Sequence, residues 1–208
     1  MASVPIILLK KRVLFQIPFQ ENQFENYENL SSHPETDCFF QTVCSLGLRN
    51  PEVSKRESDA INQNKNYLVK YTETKKYLST SFGIKRKNIC FTKCFIENKR
   101  TCQKEMNAFF MKRLQNNHAT ILTVDLKTKK DWWGHYMVVY KTNDKIFFFD
   151  PQSKGFYKDV LINNQNIYTV LSFYGCIKIT GFGYFKIKNI NKSMPLLYDD
   201  CPVEYHID

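Results

Sequence analysis

The spacing of apolar residues changes near the middle of this 208-residue chain. Between residues 38 and 115, apolar side chains recur at steps of three, four or seven, which is the spacing of one helix face. The clearest sets are Phe39, Val43 and Leu46, and then Cys102, Met106, Phe110 and Leu114. The second half instead contains β-branched and aromatic runs typical of strands, at 119–124, 136–140, 146–149 and 184–190. Helices followed by strands predict an α+β fold, with a helical lobe packed on a C-terminal antiparallel sheet.

Length and composition limit the number of domains. At ~150 residues per domain the chain corresponds to roughly 1.4 domains, and no internal repeat or linker-like segment divides it. Apolar residues make up 43% of the chain and charged residues 24%, which excludes wholesale disorder. We therefore expect one domain over residues 1–208, mainly helical at 38–115 and mainly antiparallel sheet at 118–190.

The N-terminal apolar segment predicts a strand. No run in the sequence approaches the ~20 apolar residues that a membrane span needs, and Lys10, Lys11 and Arg12 interrupt residues 6–17. These charges follow the apolar stretch, whereas in a signal peptide they precede it. Seven cysteines, an odd number, favour a reducing compartment over a disulfide framework. We expect an intracellular, cytoplasmic protein, located in the host cytoplasm or the virion if the chain is viral.

Positive charge is concentrated in the middle of the chain. The net charge is +10, and residues 49–130 hold nineteen Lys or Arg against seven Asp or Glu, most densely at Lys85, Arg86 and Lys87. A solvated helical surface is the simplest interpretation of this excess. The alternative is a docking face for nucleic acid, an acidic protein or a membrane surface. Nucleic acid is not favoured, because the aromatic and basic residues do not alternate in a recognisable strand pattern and no zinc-finger or helix-turn-helix spacing appears.

Cys38 is predicted to open a helix. Thr36 or Asp37 can cap this helix, so Cys38 falls in its first turn. The free backbone N–H groups and the dipole at a helix start stabilise a thiolate, and the same groups can hold an oxyanion. Cys44 lies six residues further on and points elsewhere, so we expect it in the core.

His135 and Asp150 are predicted to meet across a hairpin. If Asn143 and Asp144 form a two-residue turn, Met137 lies opposite Asp150 and His135 lies opposite Gln152. Since strand side chains alternate between the faces of a sheet, the His135 ring and the Asp150 carboxylate then share one face within hydrogen-bond reach.

His135 is therefore the candidate general base that forms a Cys38 thiolate, and Asp150 is the candidate acid that orients His135. Three further histidines fit less well, at positions 33, 118 and 206. Trp132, Trp133 and Gly134 precede His135 and are candidates for a substrate groove, because the indoles exclude water and glycine lets a substrate approach. Gln152 and Asp37 are candidates for the oxyanion site or for support of the catalytic groups.

Three segments together resemble the papain-like cysteine hydrolase superfamily. They are Cys38 at a helix start, Gly134-His135-Tyr136 at a strand start, and Asp150-Pro151-Gln152 after the next strand. The likeness is greatest to the branch of papain-fold toxins and protein-glutamine deamidases, whose members end this strand in Asp-x-Gln. The resemblance implies a papain-like fold with Cys38 as nucleophile, His135 as base and Asp150 as the residue that orients the base.

The sequence departs from this family at the oxyanion position. Papain-like peptidases usually carry a glutamine six residues before the nucleophile, where Ser32 stands here. Gln20, Gln23, Gln152 or backbone N–H groups are the candidates to replace it. The segment Glu35-Thr36-Asp37-Cys38 is also similar to the nucleophile segment of ovarian-tumour deubiquitinases, although that family keeps its histidine near the C-terminus and 73 residues follow His135 here.

The sequence hypothesis is therefore a cysteine hydrolase that cleaves a carboxamide, peptide or isopeptide bond in a protein substrate, such as ubiquitin or a host protein. A thiol protease, a deubiquitinase and a glutamine deamidase all fit this description. An inactive papain-like structural or interaction protein, for instance of a virus particle, and a basic nucleic-acid-binding module are the alternatives. No cofactor is implied. A zinc site is disfavoured because its potential ligands are loosely spaced, at Cys90, Cys94, Cys102 and His118.

Overall fold

The computed structural model describes residues 12–28, 37–63, 71–96, 99–156 and 166–188. The helices in these ranges are α1 (Cys38–Ser45), α2 (Pro51–Asn62), α3 (Tyr71–Phe82), α4 (Lys99–Arg113), α5 (Pro151–Phe156) and α6 (Ile167–Leu171). The strands are β1 (Arg12–Leu14), β2 (Ile17–Pro18), β3 (Ile89–Phe95), β4 (His118–Lys127), β5 (Trp132–Thr142), β6 (Lys145–Phe149) and β7 (Lys178–Lys188). Short 3₁₀ turns occupy Arg86–Asn88 and Ser172–Tyr174. Several positions discussed above lie outside the described residues, namely 6–11, 189–190, Ser32, His33, Glu35, Thr36 and His206.

The described strands form one antiparallel sheet, which confirms the predicted α+β class. Its main order is β1-β7-β4-β5-β6, while β2 pairs with β4 and β3 pairs with β7. Three of these strands precede residue 118, so the sheet is not confined to the C-terminal part as predicted. The missed strand β3 lies inside the region with helical spacing. It is fixed by distant residues, since the Phe91 ring occupies the space above Gly183 on β7, within 2.3 Å of where a Cβ atom would be.

The β5–β6 hairpin has the predicted two-residue turn and register. Asn143 and Asp144 both adopt left-handed backbone conformations, with φ of 48° and 53°, as the tightest hairpin turns require. Thr142 pairs with Lys145, and Val138 pairs with Phe149. Asp150 therefore follows the last residue of β6, and His135 lies on β5 three residues before the part that pairs with β6.

The sheet separates two apolar clusters. Tyr136 and Val138 of β5 join one cluster with Phe39 and Val43 of α1. The alternate β5 residues, such as Met137, join a second cluster with several side chains of α4. The Phe39 and Tyr136 rings meet edge to face, with centroids 5.3 Å apart. Burying a side chain of this size contributes about 1.5–3 kcal/mol, so this packing holds the start of α1 against β5.

Two further observations bear on the predictions. Cys44 and Cys102 are 8% and 0% exposed, which confirms that both are core residues. Within the described ranges, no helix combines the length and apolar character needed to cross a membrane.

Candidate active site

Cys38 is the first residue of α1 and is half-buried against the first apolar cluster. The helix begins here because the Asp37 carbonyl accepts the Gln41 N–H at 3.0 Å. Of the two predicted caps, Thr36 lies outside the described residues, and Asp37 occupies the cap position although its side chain makes no capping hydrogen bond. The first-turn N–H groups of a helix have no acceptor within the helix, and the Asp37 side chain does not supply one.

The Asp37 carboxylate instead lies in the interior, with the residue 0% exposed. It accepts hydrogen bonds from Gln41 Nε2 at 3.3 Å, Gln152 Nε2 at 3.4 Å and Ser58 Oγ at 3.5 Å. These side chains lie on α1, α5 and α2. A buried carboxylate needs such donors in place of water, so tertiary partners outcompete local capping.

His135 is buried between the other two predicted catalytic residues. The residue is 2% exposed, and its Nε2 lies 3.0 Å from Asp150 Oδ2. Cys38 lies close enough to the ring to act on it, and its presence raises the pKa of His135. Because Nε2 is held by Asp150, Nδ1 is the ring nitrogen left to exchange a proton with the sulfur. The structure thus brings Cys38, His135 and Asp150 together, with His135 hydrogen-bonded to Asp150 and Cys38 beside the same ring.

Opposing effects act on the pKa of His135. Burial disfavours the imidazolium and by itself lowers the pKa. The charge of Asp150 and its hydrogen bond raise the pKa, and the hydrogen bond and charge of Cys38 raise it further. Together they raise the pKa of His135 from 6.5 to about 10. The ring therefore holds its proton at neutral pH.

Asp150 is fixed in place by donors on several sides. Oδ1 accepts the Gln152 backbone N–H at 3.0 Å, and Oδ2 accepts the Tyr174 hydroxyl at 2.7 Å as well as His135 Nε2. Ser153 Oγ donates to the Asp150 backbone carbonyl at 3.1 Å. The orientation of the carboxylate towards His135 is therefore determined by the turn that enters α5 and by Tyr174.

Tyr174 is the site residue that the sequence interpretation missed. Its ring centroid lies 4.7 Å from that of His135 and 5.5 Å from that of Trp133, so it covers the bond between His135 and Asp150. Burial raises the pKa of Tyr174, and the negative charge and hydrogen bond of Asp150 raise it further. The hydroxyl is therefore a permanent donor. No feature of the surrounding sequence links Tyr174 to a carboxylate 24 residues earlier.

Gln152 connects α1, the helix that Cys38 opens, to Asp150. Its backbone N–H donates to Asp150, while its side-chain amide donates to Asp37 beside Cys38. The amide thus supports the site, and in this conformation it is not directed at a substrate carbonyl. Gln23 lies elsewhere, since its amide donates to the Ser45 carbonyl at the far end of α1, and Gln20 contacts Gln23. These contacts argue against Gln20 and Gln23 as oxyanion donors.

The start of β5 presents an open surface beside His135. Trp132 and Trp133 are 61% and 36% exposed, and Trp133 packs edge-on against Tyr174. A Cβ atom added to Gly134 would meet no heavy atom within 4 Å. Trp132 lies on the opposite face of β5 from Trp133 and stacks beneath the Lys127 ammonium, 4.9 Å from the ring centroid. Trp133 and Gly134 are therefore the groove candidates that adjoin the catalytic residues.

Other predicted features lie away from this site. Among the described residues, no group of three or more His, Cys, Asp or Glu side chains could hold a metal ion. Of the possible zinc ligands, Cys102 is buried beside Met106, and His118 Nδ1 lies 2.9 Å from the Asn116 carbonyl oxygen. The basic residues Lys85, Arg86 and Lys87 are exposed at the 3₁₀ turn before β3.

The geometry brings a thiol, an imidazole and a carboxylate together, and the thiol lies in the first turn of α1, where backbone N–H groups have no acceptor within the helix. Such a series can move a proton between sulfur and a third group while the carboxylate keeps the ring oriented. A scan against models of known protein families found no match, and a search of curated proteins found none either. The side chains themselves are therefore the basis for assigning a chemistry.

Proposed function

We propose that the chain is a cysteine hydrolase in which Cys38 is the nucleophile, His135 the general acid and base, and Asp150 the orienting acid. The observation that carries the proposal is the 3.0 Å hydrogen bond between His135 and Asp150, together with Cys38 acting on the same imidazole ring. Burial of His135 and Asp150, at 2% exposure each, supports a proton-transfer role, because water does not compete for their hydrogen bond. Cys38 remains partly exposed, as a nucleophile must.

In the reactive form of the pair, the proton is on His135 and the negative charge is on the Cys38 sulfur. The sulfur attacks the carbonyl carbon of an amide, which forms a C–S bond and a tetrahedral oxyanion. Backbone N–H groups of the first turn of α1 stabilise this oxygen. His135 then donates its proton to the nitrogen, the C–N bond breaks, and ammonia or an amine leaves.

The second half of the reaction releases the acyl group from the Cys38 sulfur. Neutral His135 accepts a proton from water, and the resulting hydroxide attacks the thioester carbon. The C–S bond breaks, the acid leaves, and the thiolate and imidazolium are restored. Asp150 keeps the ring oriented throughout, and Tyr174 and Gln152 hold Asp150.

The likeness to papain-like cysteine hydrolases supports this reaction and a papain-like fold. It rests on Cys38, Gly134-His135-Tyr136 and Asp150-Pro151-Gln152, which are the segments that meet at the site. The described cysteines are free thiols, which suits a reducing compartment such as the cytoplasm. The substrate class is a protein, with ubiquitin conjugates and host glutamine side chains as the leading possibilities.

Activity-based capture tests the proposal and separates its branches. Ubiquitin with a C-terminal electrophile should label Cys38 in an isopeptidase, whereas ammonia release from protein glutamine identifies a deamidase and cleavage of a quenched-peptide library identifies a peptidase. Cys38→Ala should abolish each reaction, and Cys94→Ala, which removes another half-buried thiol, should leave it unchanged. Absence of all three reactions in the folded protein would contradict the proposal and favour an inert scaffold.

A further inference from the structure

A basic patch lies at the end of the sheet where β5 begins. We call it the lysine patch and define it by Lys127, Lys129, Lys130, Lys178 and Trp132. Lys127 of β4 pairs with Trp132 of β5 and with Lys178 of β7, so these three residues form one row across three strands. Lys129 and Lys130 are exposed in the turn that joins β4 to β5. Residues from three strands and a turn therefore gather positive charge in one place.

The protein itself does not neutralise this charge. Among the described residues, no carboxylate forms an ion pair with any of the four ammonium groups. Asp131 is the single acidic residue of the turn, so the lysines of the patch outnumber it by three. Asp125 precedes the turn on β4, but its Oδ2 is already paired with Lys93 Nζ at 2.6 Å. The patch thus has positive charge available to an anionic partner.

Trp132 orients one of these charges and adds apolar surface. The Lys127 ammonium lies 4.9 Å from the centre of the Trp132 ring and occupies one face of it. Trp132 nevertheless remains 61% exposed. An ammonium group held on an indole has less freedom to lose when an anion binds to it. The row therefore presents a positioned cation next to exposed aromatic surface.

The lysine patch continues the open surface beside the candidate active site. Alternate strand residues share a face, so Trp132, Gly134 and Tyr136 lie on one side of β5. On that side the Tyr136 ring packs against Phe39, the residue after Cys38. Gly134 carries no side chain that would separate this region from Trp132. The two residues from Gly134 to Trp132 span about 7 Å, which is the length of two residues of an extended peptide.

We propose that the lysine patch binds an acidic segment of the protein substrate, a few residues from the amide that Cys38 attacks. Its role as a substrate site rests on the proposed function, whereas the binding itself does not. Aspartate or glutamate carboxylates of the segment pair with the lysines, and an apolar residue covers the exposed part of Trp132. Basic segments are repelled. Nucleic acid is also anionic, but its backbone has no amide for a thiolate to attack, so the position beside Cys38 favours a protein.

Fluorescence anisotropy with the full-length Cys38→Ala protein tests the binding step without turnover. The probe is the peptide Glu-Glu-Leu-Glu-Glu-Gly with an uncharged fluorophore, and the control peptide has glutamine in place of each glutamate. The acidic peptide should bind in a saturable way that weakens with added salt. The glutamine peptide should bind about tenfold more weakly or not at all.

Matched variants localise the binding. Lys129→Gln combined with Lys130→Gln should weaken binding roughly threefold or more, since two exposed ion pairs are lost. Lys85→Gln combined with Lys87→Gln removes the same charge from exposed positions before β3, near the opposite end of the sheet, and should leave binding unchanged. Equal binding of the two peptides, an equal effect of the two double variants, or tighter binding of a dT oligonucleotide than of the acidic peptide would overturn the inference.

Turnover by the wild-type protein separates this inference from the proposed function. An acidic substrate peptide should show a KM about threefold higher or more in Lys129→Gln/Lys130→Gln, with kcat unchanged, because these lysines bind the substrate away from the reacting atoms. Turnover with no preference for acidic peptides would overturn this inference alone. Binding of the acidic peptide without any turnover would contradict the hydrolase and leave the binding site in place.

Discussion

Replacing Asp150 by asparagine keeps the shape of the side chain but removes the charge that keeps His135 protonated. The single asparagine oxygen can accept either from Tyr174 at the Oδ2 position or from the Gln152 backbone N–H at the Oδ1 position, and an NH2 donor takes the place of the other oxygen. The negative charge next to His135 Nε2 is lost. Burial then lowers the pKa of His135, and only Cys38 still acts to raise it. We expect the pKa of His135 in Asp150→Asn to fall to 6.5 or below.

The size of the change follows from the His135 pKa. A rise from 6.5 to about 10 corresponds to about 5 kcal/mol in favour of the imidazolium, at ~1.4 kcal/mol per pH unit. Removing one partner of a buried ion pair typically costs about 3–5 kcal/mol, which is a similar magnitude. Asp150→Asn should therefore lower the pKa of His135 by several units and destabilise the fold at neutral pH.

NMR titration of the histidine ring signals measures this pKa directly. The chain has four histidines, and His135→Gln identifies the signal that belongs to His135. Asp144→Asn is the matched control, because this carboxylate belongs to the same hairpin, is 78% exposed, and sits in a left-handed conformation that asparagine tolerates. An unchanged His135 pKa in folded Asp150→Asn, or an equal drop in Asp144→Asn, would refute the account of the pair.

Three further perturbations test neighbouring parts of the account. Tyr174→Phe removes one hydrogen-bond donor from the Asp150 carboxylate, so it should cost about 1.5–3 kcal/mol of unfolding free energy. It should also raise the pKa of His135 in the NMR titration. A fall in the pKa of His135 would contradict the assigned contact. Protonated His135 contributes its full stabilisation of the folded state below pH 6.5, and this contribution is lost as the pH rises towards about 10. The free energy of unfolding, measured with denaturant, should therefore fall by ~1.4 kcal/mol per pH unit between these values. This fall should be missing from His135→Gln. Gly134→Val should preserve thermal stability and block a protein substrate, while small alkylating agents still reach Cys38. Gly183→Ala should instead cost about 1–3 kcal/mol of unfolding free energy, because its Cβ would lie 2.4 Å from Thr123 Oγ1. Equal losses of melting temperature in the two variants would contradict the groove assignment.

Local sequence information was sufficient for the hairpin that carries two of the site residues. Asn143 and Asp144 tolerate positive φ and stand between strand-like runs, so the turn and its register follow from short-range chemistry. The register then places Asp150 at the end of β6, near His135. Cys38 at the start of α1 likewise follows from the local pattern of a helix start.

The features that were missed depend on distant residues. Asp37 has the sequence context of a helix cap, but donors from three helices draw its carboxylate into the interior. The strand β3 is fixed by its pairing with β7, and Phe91 needs the space that Gly183 leaves. Tyr174 reaches Asp150 only through the packing of its 3₁₀ turn against Trp133 and His135. Such contacts leave no periodicity or spacing in the chain.

Alkylation of the individual thiols tests the central claim, that Cys38 and His135 act as one reactive pair. Iodoacetamide is applied at pH 7 and the modification of each cysteine is followed by mass spectrometry, with half-buried Cys94 as the internal reference. Cys38 should react about tenfold faster than Cys94 or more, and His135→Ala should reduce its rate towards that of Cys94. Equal rates for the two thiols in the wild-type protein, or an unchanged Cys38 rate in His135→Ala, would contradict the account.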